Sequence, residues 1–154
     1  MKLVKVSTMI ALSLLSLKSF ADANEEVLAV ARANNLNPSQ RVVTAIVNAS
    51  TQYDISASEL TAIAIIETRL GKNIKVRHNT NGTEDKGLFQ INTINHSKCI
   101  EYNLNTPEGS ALCAAKLLHT IKQKRDDYLG VYHSKTPSKK HTYMKQIDQI
   151  LAAR

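Results

Sequence analysis

One stretch limits the folds open to this chain more than any other. From Leu60 to Asn92 it reads LTAIAIIETRLGKNIKVRHNTNGTEDKGLFQIN: an apolar helix ending in a carboxylate, then a turn-rich segment, then a glycine-led second motif. Leu60, Ile63, Ala64 and Glu67 fall on one helical face, so the carboxylate projects from the stripe that faces a core. Apolar residues run almost unbroken from Ala62 to Ile66, which predicts a helix buried on most sides, the central member of a helical body. Gly71 is its expected stop. A carboxyl group at that end is poorly solvated and lies near the negative pole of its own helix. Such surroundings suit a group that delivers a proton, so Glu67 is the candidate general acid.

Helical signals surround this stretch. Asn24 to Asn34 carries Glu25 and Glu26 in its first turn and predicts a short helix. Asn37-Pro38-Ser39-Gln40 supplies a cap residue, a first-turn proline and a returning amide, opening a helix to about Tyr53 with Val42, Ala45, Ile46 and Ala49 inward. Ser56-Ala57-Ser58-Glu59 has capping-box spacing and starts the helix that carries Glu67. From Lys72 to Asp85 the helical period is lost. Ile74 and Val76 alternate with Lys75 and Arg77 ahead of Asn81-Gly82, which predicts a small β-hairpin. Thr106-Pro107-Glu108 begins another helix, with Ala111, Ala114, Ala115, Leu118 and Ile121 inward, and Thr136-Pro137 begins the last, lining up Tyr143, Ile147, Ile150 and Leu151. The fold class expected is mainly α (α+β): one domain, residues 24–154, with a small β element. Its 43% hydrophobic content is enough for a packed core.

The first 23 residues differ in kind. Lys2 and Lys5 make a basic start, Met9 to Leu17 a short apolar run, and small residues allow cleavage after Ala21 or Ala23, the pattern of a secretory signal peptide. The run is too short to span a bilayer and Lys18 interrupts it, so no stable membrane anchor is expected. Loss of Lys2, Lys5 and Lys18 lowers the formal charge of +7 to about +4. The remaining cations concentrate at Lys122–Arg125 and Lys135–Lys145, a distribution that suits an acidic polymer such as a wall bearing peptide carboxylates as well as a plain solvated face. Nucleic acid is not the expected partner, for the chain has few aromatics and no binding motif. Cys99 and Cys113 lie in the exported part, where an oxidising compartment favours a disulfide. No His or Cys companions repeat at ligand spacing, so neither a metal site nor a cofactor is expected.

Taken together, AIAIIETRLG, DKGLFQIN, CAAKLL and VYHSKTP resemble the lysozyme-like (SLT-type) lytic transglycosylases, especially the small exported ones that accompany type IV secretion, conjugation, type III secretion or pilus systems. The resemblance runs from about Tyr53 to Leu151 and implies a lysozyme-like helical domain with a substrate cleft. It implies Glu67 as catalytic acid and base. Thr68, in the place of the usual serine, would give polar support near the substrate. Gly87, Leu88, Phe89, Gln90 and Ile91 would line the sugar cleft, with Phe89 replacing a methionine. Gln90 would hold Glu67 or an N-acetyl group, and Gly87 would let the backbone approach the glycan. Tyr132 would point at the catalytic glutamate, while His133 and Ser134 resemble the secretion-associated branch. The implied setting is the periplasm, with peptidoglycan strands as substrate and secretion, conjugation or pilus proteins as candidate partners.

The implied reaction cleaves the β-1,4 bond between N-acetylmuramic acid and N-acetylglucosamine and leaves a 1,6-anhydro end, with no second carboxylate required. Asp85 keeps a hydrolytic, lysozyme-type muramidase open, because EDKGLFQIN also resembles the segment of animal lysozymes that carries a second carboxylate. A third reading, an inactive glycan-binding assembly protein, stands beside these two.

Overall fold

The computed structural model describes residues 19–154. Helix α1 covers residues 19–33, followed by α2 (Gln40–Tyr53) and α3 (Ala57–Thr68). Three short strands come next, β1 (Arg77–His78), β2 (Glu84–Lys86) and β3 (Ile91–Asn92). The chain ends with helices α4 (Thr93–His96), α5 (Pro107–Lys122), α6 (Tyr128–His133) and α7 (Pro137–Ala152). This is the mainly helical, lysozyme-like architecture expected, with a small antiparallel sheet. Residues 1–18 of the expected signal peptide lie outside the described residues, and both expected cleavage points fall within α1.

Helix α3 is the centre of the body. Leu60, Thr61, Ala62, Ile63 and Ala64 are all fully buried, as the unbroken apolar run requires. Ser56 opens it by accepting the Glu59 amide at 3.4 Å, the expected capping geometry. Helices α2 and α7 pack directly against it, and α2 lies in turn on α5. Partly exposed Asn34 closes α1 onto α7 with a side-chain amide to the Ile150 carbonyl, 3.2 Å.

Three helix boundaries differ from expectation, the first being the start of α1, which among the described residues lies at residue 19, before Asn24. The N-cap of α2 is Ser39, whose hydroxyl accepts the Val42 amide, so Pro38 precedes the helix instead of starting it. At the end of α3 the left-handed turn falls earlier than Gly71, on Arg69 (φ 52°) and Leu70 (φ 54°). The Leu70 amide reaches the Ala64 carbonyl at 3.0 Å and the Arg69 amide the Ile65 carbonyl at 2.9 Å, satisfying the last carbonyls of the helix.

The hairpin forms around Asn81-Gly82, with Arg77 opposite Asp85 and His78 opposite Glu84. It is shorter than predicted. Ile74 and Val76 stay outside β1 and are half exposed, because pairing is confined to the residues next to the turn. The third strand was not foreseen: the end of the glycine-led motif returns against β2, with Asp85 opposite Asn92 and Lys86 opposite Ile91.

Cys99 and Cys113 are joined, as expected, with Cα atoms 5.4 Å apart and both residues fully buried. The bridge pins the irregular segment after α4 to the middle of α5. Closing a loop between cysteines 14 residues apart stabilises by about 3 kcal/mol, mainly by restricting the unfolded chain. Reduction is therefore expected to lower the urea midpoint by that equivalent; identical midpoints for oxidised and reduced protein would reject the role.

Candidate active site

Glu67 is the penultimate residue of α3, and its side chain is only 9% exposed. It reaches the wall of a cleft of about 830 Å³ that runs between the sheet and the α6–α7 region. Its Oε1 accepts a hydrogen bond from the Tyr143 hydroxyl at 3.0 Å. Tyr143 is 1% exposed, on the inner face of α7. Burial, then the nearby Glu67 and Tyr132, push its hydroxyl well above the usual tyrosine range, so it remains a donor at any working pH. His133 stacks on the Tyr143 ring, centroids 4.3 Å apart and planes 6° from parallel, which brings its Nδ1 to 3.9 Å from Glu67 Oε1. A buried carboxylate thus faces an open channel with one oriented donor and one imidazole beside it.

Asp85 lies on the same cleft, in the middle strand. Its Oδ1 accepts the side-chain amides of Asn79 at 3.1 Å and Asn92 at 2.8 Å. Both amides also reach Thr83 Oγ1. Asn92 has a second task, capping α4 by accepting the Ile94 amide at 3.0 Å. The carboxylate is therefore held by its neighbours across the sheet rather than left to rotate. The charges of Glu67 and Asp85 both bear on the Tyr132 hydroxyl, which burial foremost already holds well above its ordinary range.

The glycine-led motif proves to be a turn clamped from three helices. Thr68 on α3 donates to the Leu88 carbonyl (2.8 Å) and accepts the Gly71 amide (3.1 Å). Ser110 on α5 accepts the Phe89 amide at 3.1 Å, and Tyr132 on α6 donates to the Phe89 carbonyl at 3.0 Å. Gln90 closes the turn in the left-handed region (φ 46°), its side-chain amide on the Gly87 carbonyl at 3.0 Å.

This clamp corrects several expectations. Leu88 and Phe89 are buried at 1% exposure or less, so they support the cleft from beneath instead of lining it, and the equally buried Thr68 gives its polar support to the turn. Gly87 (φ 77°) is required by the Leu104 carbonyl and Ser110 packed against it, not by room for a glycan. Gln90 and Ile91 do line the cleft, but Gln90 bonds its own turn and not Glu67. Tyr132 lines the cleft while its hydroxyl serves Phe89, and the contact to Glu67 belongs to Tyr143. Sequence reading had placed Tyr143 in the core stripe. The missed signal is chemical: a tyrosine on an inward stripe brings a hydroxyl that needs a partner.

Tyr143→Phe keeps the ring and the His133 stack and removes the donor to Glu67. Turnover is expected to fall about 10-fold to 100-fold with the fold intact. The rate of fragment release from purified sacculi reads this, and a larger loss in Tyr132→Phe would return the role to Tyr132.

The profile of the family described as Transglycosylase SLT domain matches residues 44–136. The match contains α3, the sheet, the clamped turn and α6, and ends before Tyr143. Comparison with curated proteins and with solved structures finds no match.

Proposed function

Since the chain belongs to the SLT transglycosylase domain family, we propose that it is an exported, periplasmic lytic transglycosylase that uses Glu67 to cleave peptidoglycan and leaves 1,6-anhydro ends. The observation that carries this reading is Glu67 itself: nearly buried, backed by a hydroxyl, and opening on a cleft of about 830 Å³. The family supports the coarser statement, a lytic transglycosylase-type activity on peptidoglycan.

In the first step Glu67 gives its proton to the oxygen joining N-acetylmuramic acid to N-acetylglucosamine, and the bond from that oxygen to muramyl C1 breaks. Positive charge develops on the muramyl ring, within the field of Asp85. In the second step the muramyl C6 hydroxyl closes onto C1 while its proton returns to Glu67. No water is consumed and the acid is regenerated. Tyr143 holds Oε1 in place through both steps, which keeps the proton-bearing edge of the carboxyl aimed along one line.

Hydrolysis is the second reading, favoured by one observation: Asp85 lines the same cleft and is fixed by two amides. Digestion of purified sacculi with mass spectrometry of the soluble muropeptides separates the outcomes. Ends lighter by one water support the anhydro reaction, reducing ends support hydrolysis with Asp85 as second carboxylate, and an absence of fragments favours a glycan-binding assembly protein. We further propose that the enzyme opens the wall locally for a secretion, conjugation or pilus apparatus, on the strength of the VYHS segment (Val131–Ser134). Cross-linking in cells, with identification of the captured proteins, tests this; capture of wall-synthesis proteins alone would count against it.

A further inference from the structure

Charge is segregated in the cleft. Its two carboxylates, Glu67 and Asp85, are partly or almost fully buried, whereas its lysines and arginine, Arg77, Lys98, Lys135 and Lys139, are all exposed. Arg77 comes from β1 and Lys98 from the segment after α4, so the sheet side is basic. Lys135 and Lys139 come from the α6–α7 connection and the first turn of α7, so the helical side is basic too. Outside the cleft, Arg41, Lys86, Lys116 and Arg125 each sit within 3 Å of a carboxylate, whereas Arg69, Lys72, Lys75, Lys124 and Lys145 do not, so what marks the four cleft cations is their convergence on one channel. Among the described residues none of the four cleft cations has an acidic partner. Lys139 even occupies a helix's first turn, where the backbone dipole disfavours a cation. Local helix stability does not account for Lys139, and four cations around one channel suit a ligand of opposite charge.

An intact strand has uncharged sugars, because each muramyl lactyl carboxyl is taken up in the amide to its stem peptide, and these sugars have nothing to offer the cations. Its stem peptides, attached through the lactyl ethers of the muramyl rings, end in free carboxylates and project away from the sugar backbone. With the sugars over Glu67, the peptides pass the rim. Resting on the peptidoglycan reading above, we propose that Arg77, Lys98, Lys135 and Lys139 form a carboxylate-receiving rim that makes the cleft selective for glycan strands still carrying their stem peptides.

The quantity that tests this is a ratio: the rate on peptide-bearing strands over the rate on the same strands with their stem-peptide carboxylates capped as amides. For the unaltered protein it is expected at about 10 in low salt, falling several-fold when ionic strength rises about ten-fold, as exposed charge pairs do. Lys135→Gln/Lys139→Gln is expected to bring it to about 2, because half the rim is gone. A ratio near one for the unaltered protein, or a ratio that the double variant does not move, overturns the rim. Binding of both fluorescently labelled strands to Glu67→Gln protein reads the same preference without turnover. If neither strand is cleaved by the unaltered protein, the enzymatic reading fails while this binding ratio still decides the rim. Tighter binding of a phosphate polymer than of peptide-bearing strands also overturns it.

Discussion

Glu67→Gln is expected to reduce fragment release from sacculi by about 10²-fold to 10⁴-fold, the range associated with loss of a positioned general acid. The substitution keeps shape and removes the transferable proton. The Tyr143 hydroxyl, 3.0 Å from Oε1, can donate to the amide oxygen as it does to the carboxylate, so the wall of the cleft needs no rearrangement. Thermal unfolding should therefore shift by an equivalent of about 1 kcal/mol or less. Activity lost together with stability would mean that Glu67 is a structural residue. Activity retained would remove the catalytic assignment and direct attention to Asp85, the other carboxylate that lines the cleft among the described residues.

Gly87→Ala is expected to be among the most destabilising single changes available, at about 3 kcal/mol or more. A Cβ there would lie 2.1 Å from the Leu104 carbonyl oxygen and 2.7 Å from Ser110 Oγ, and the backbone is left-handed at φ 77°. Relief would require moving the turn itself. That turn is bonded to α3, α5 and α6 through Thr68, Ser110 and Tyr132, so displacement breaks contacts in three helices. Gly82→Ala serves as the comparison. It has a similar φ of 78° but nothing within 4 Å of its Cβ, so only the backbone term of about 1 kcal/mol remains. Urea unfolding of the two variants reads the difference; equal losses would show that the Leu104 contact carries no energy.

These expectations draw on what was legible in the chain to different degrees. Glu67 stood out through periodicity and its place at a helix end, because an acidic residue on an apolar face has few structural explanations. The capping of α3 by Ser56 and the proline start of α5 were equally local and were read correctly. The third strand was not, since β3 has only two residues and exists through its pairing with β2. The roles within the glycine-led motif were also hidden. A left-handed Gln90 turns the chain after Phe89, and no two-residue or helical period describes which side chains then face the cleft.

The exchange between the two tyrosines has the same origin. Tyr132 lies within the VYHS motif and was assigned to Glu67 by resemblance, while Tyr143 lies in a stripe that also suits packing. Which hydroxyl reaches Oε1 depends on how α7 lies across α3, a contact between residues 76 positions apart.

The amino-acid sequence by itself determined the five longer helices, the hairpin turn, the disulfide pair and the carboxylate at the end of the central helix, because each follows from contacts within a few residues or from a side chain's own chemistry; the short α6 was not read from it. Only the tertiary structure decided what surrounds that carboxylate: Tyr143 and His133 beside it, Asp85 held between two asparagines, the motif clamped beneath, and unpaired cations on the rim. Those arrangements depend on how separate elements pack, and the free energy that selects them is shared among contacts that no local pattern records.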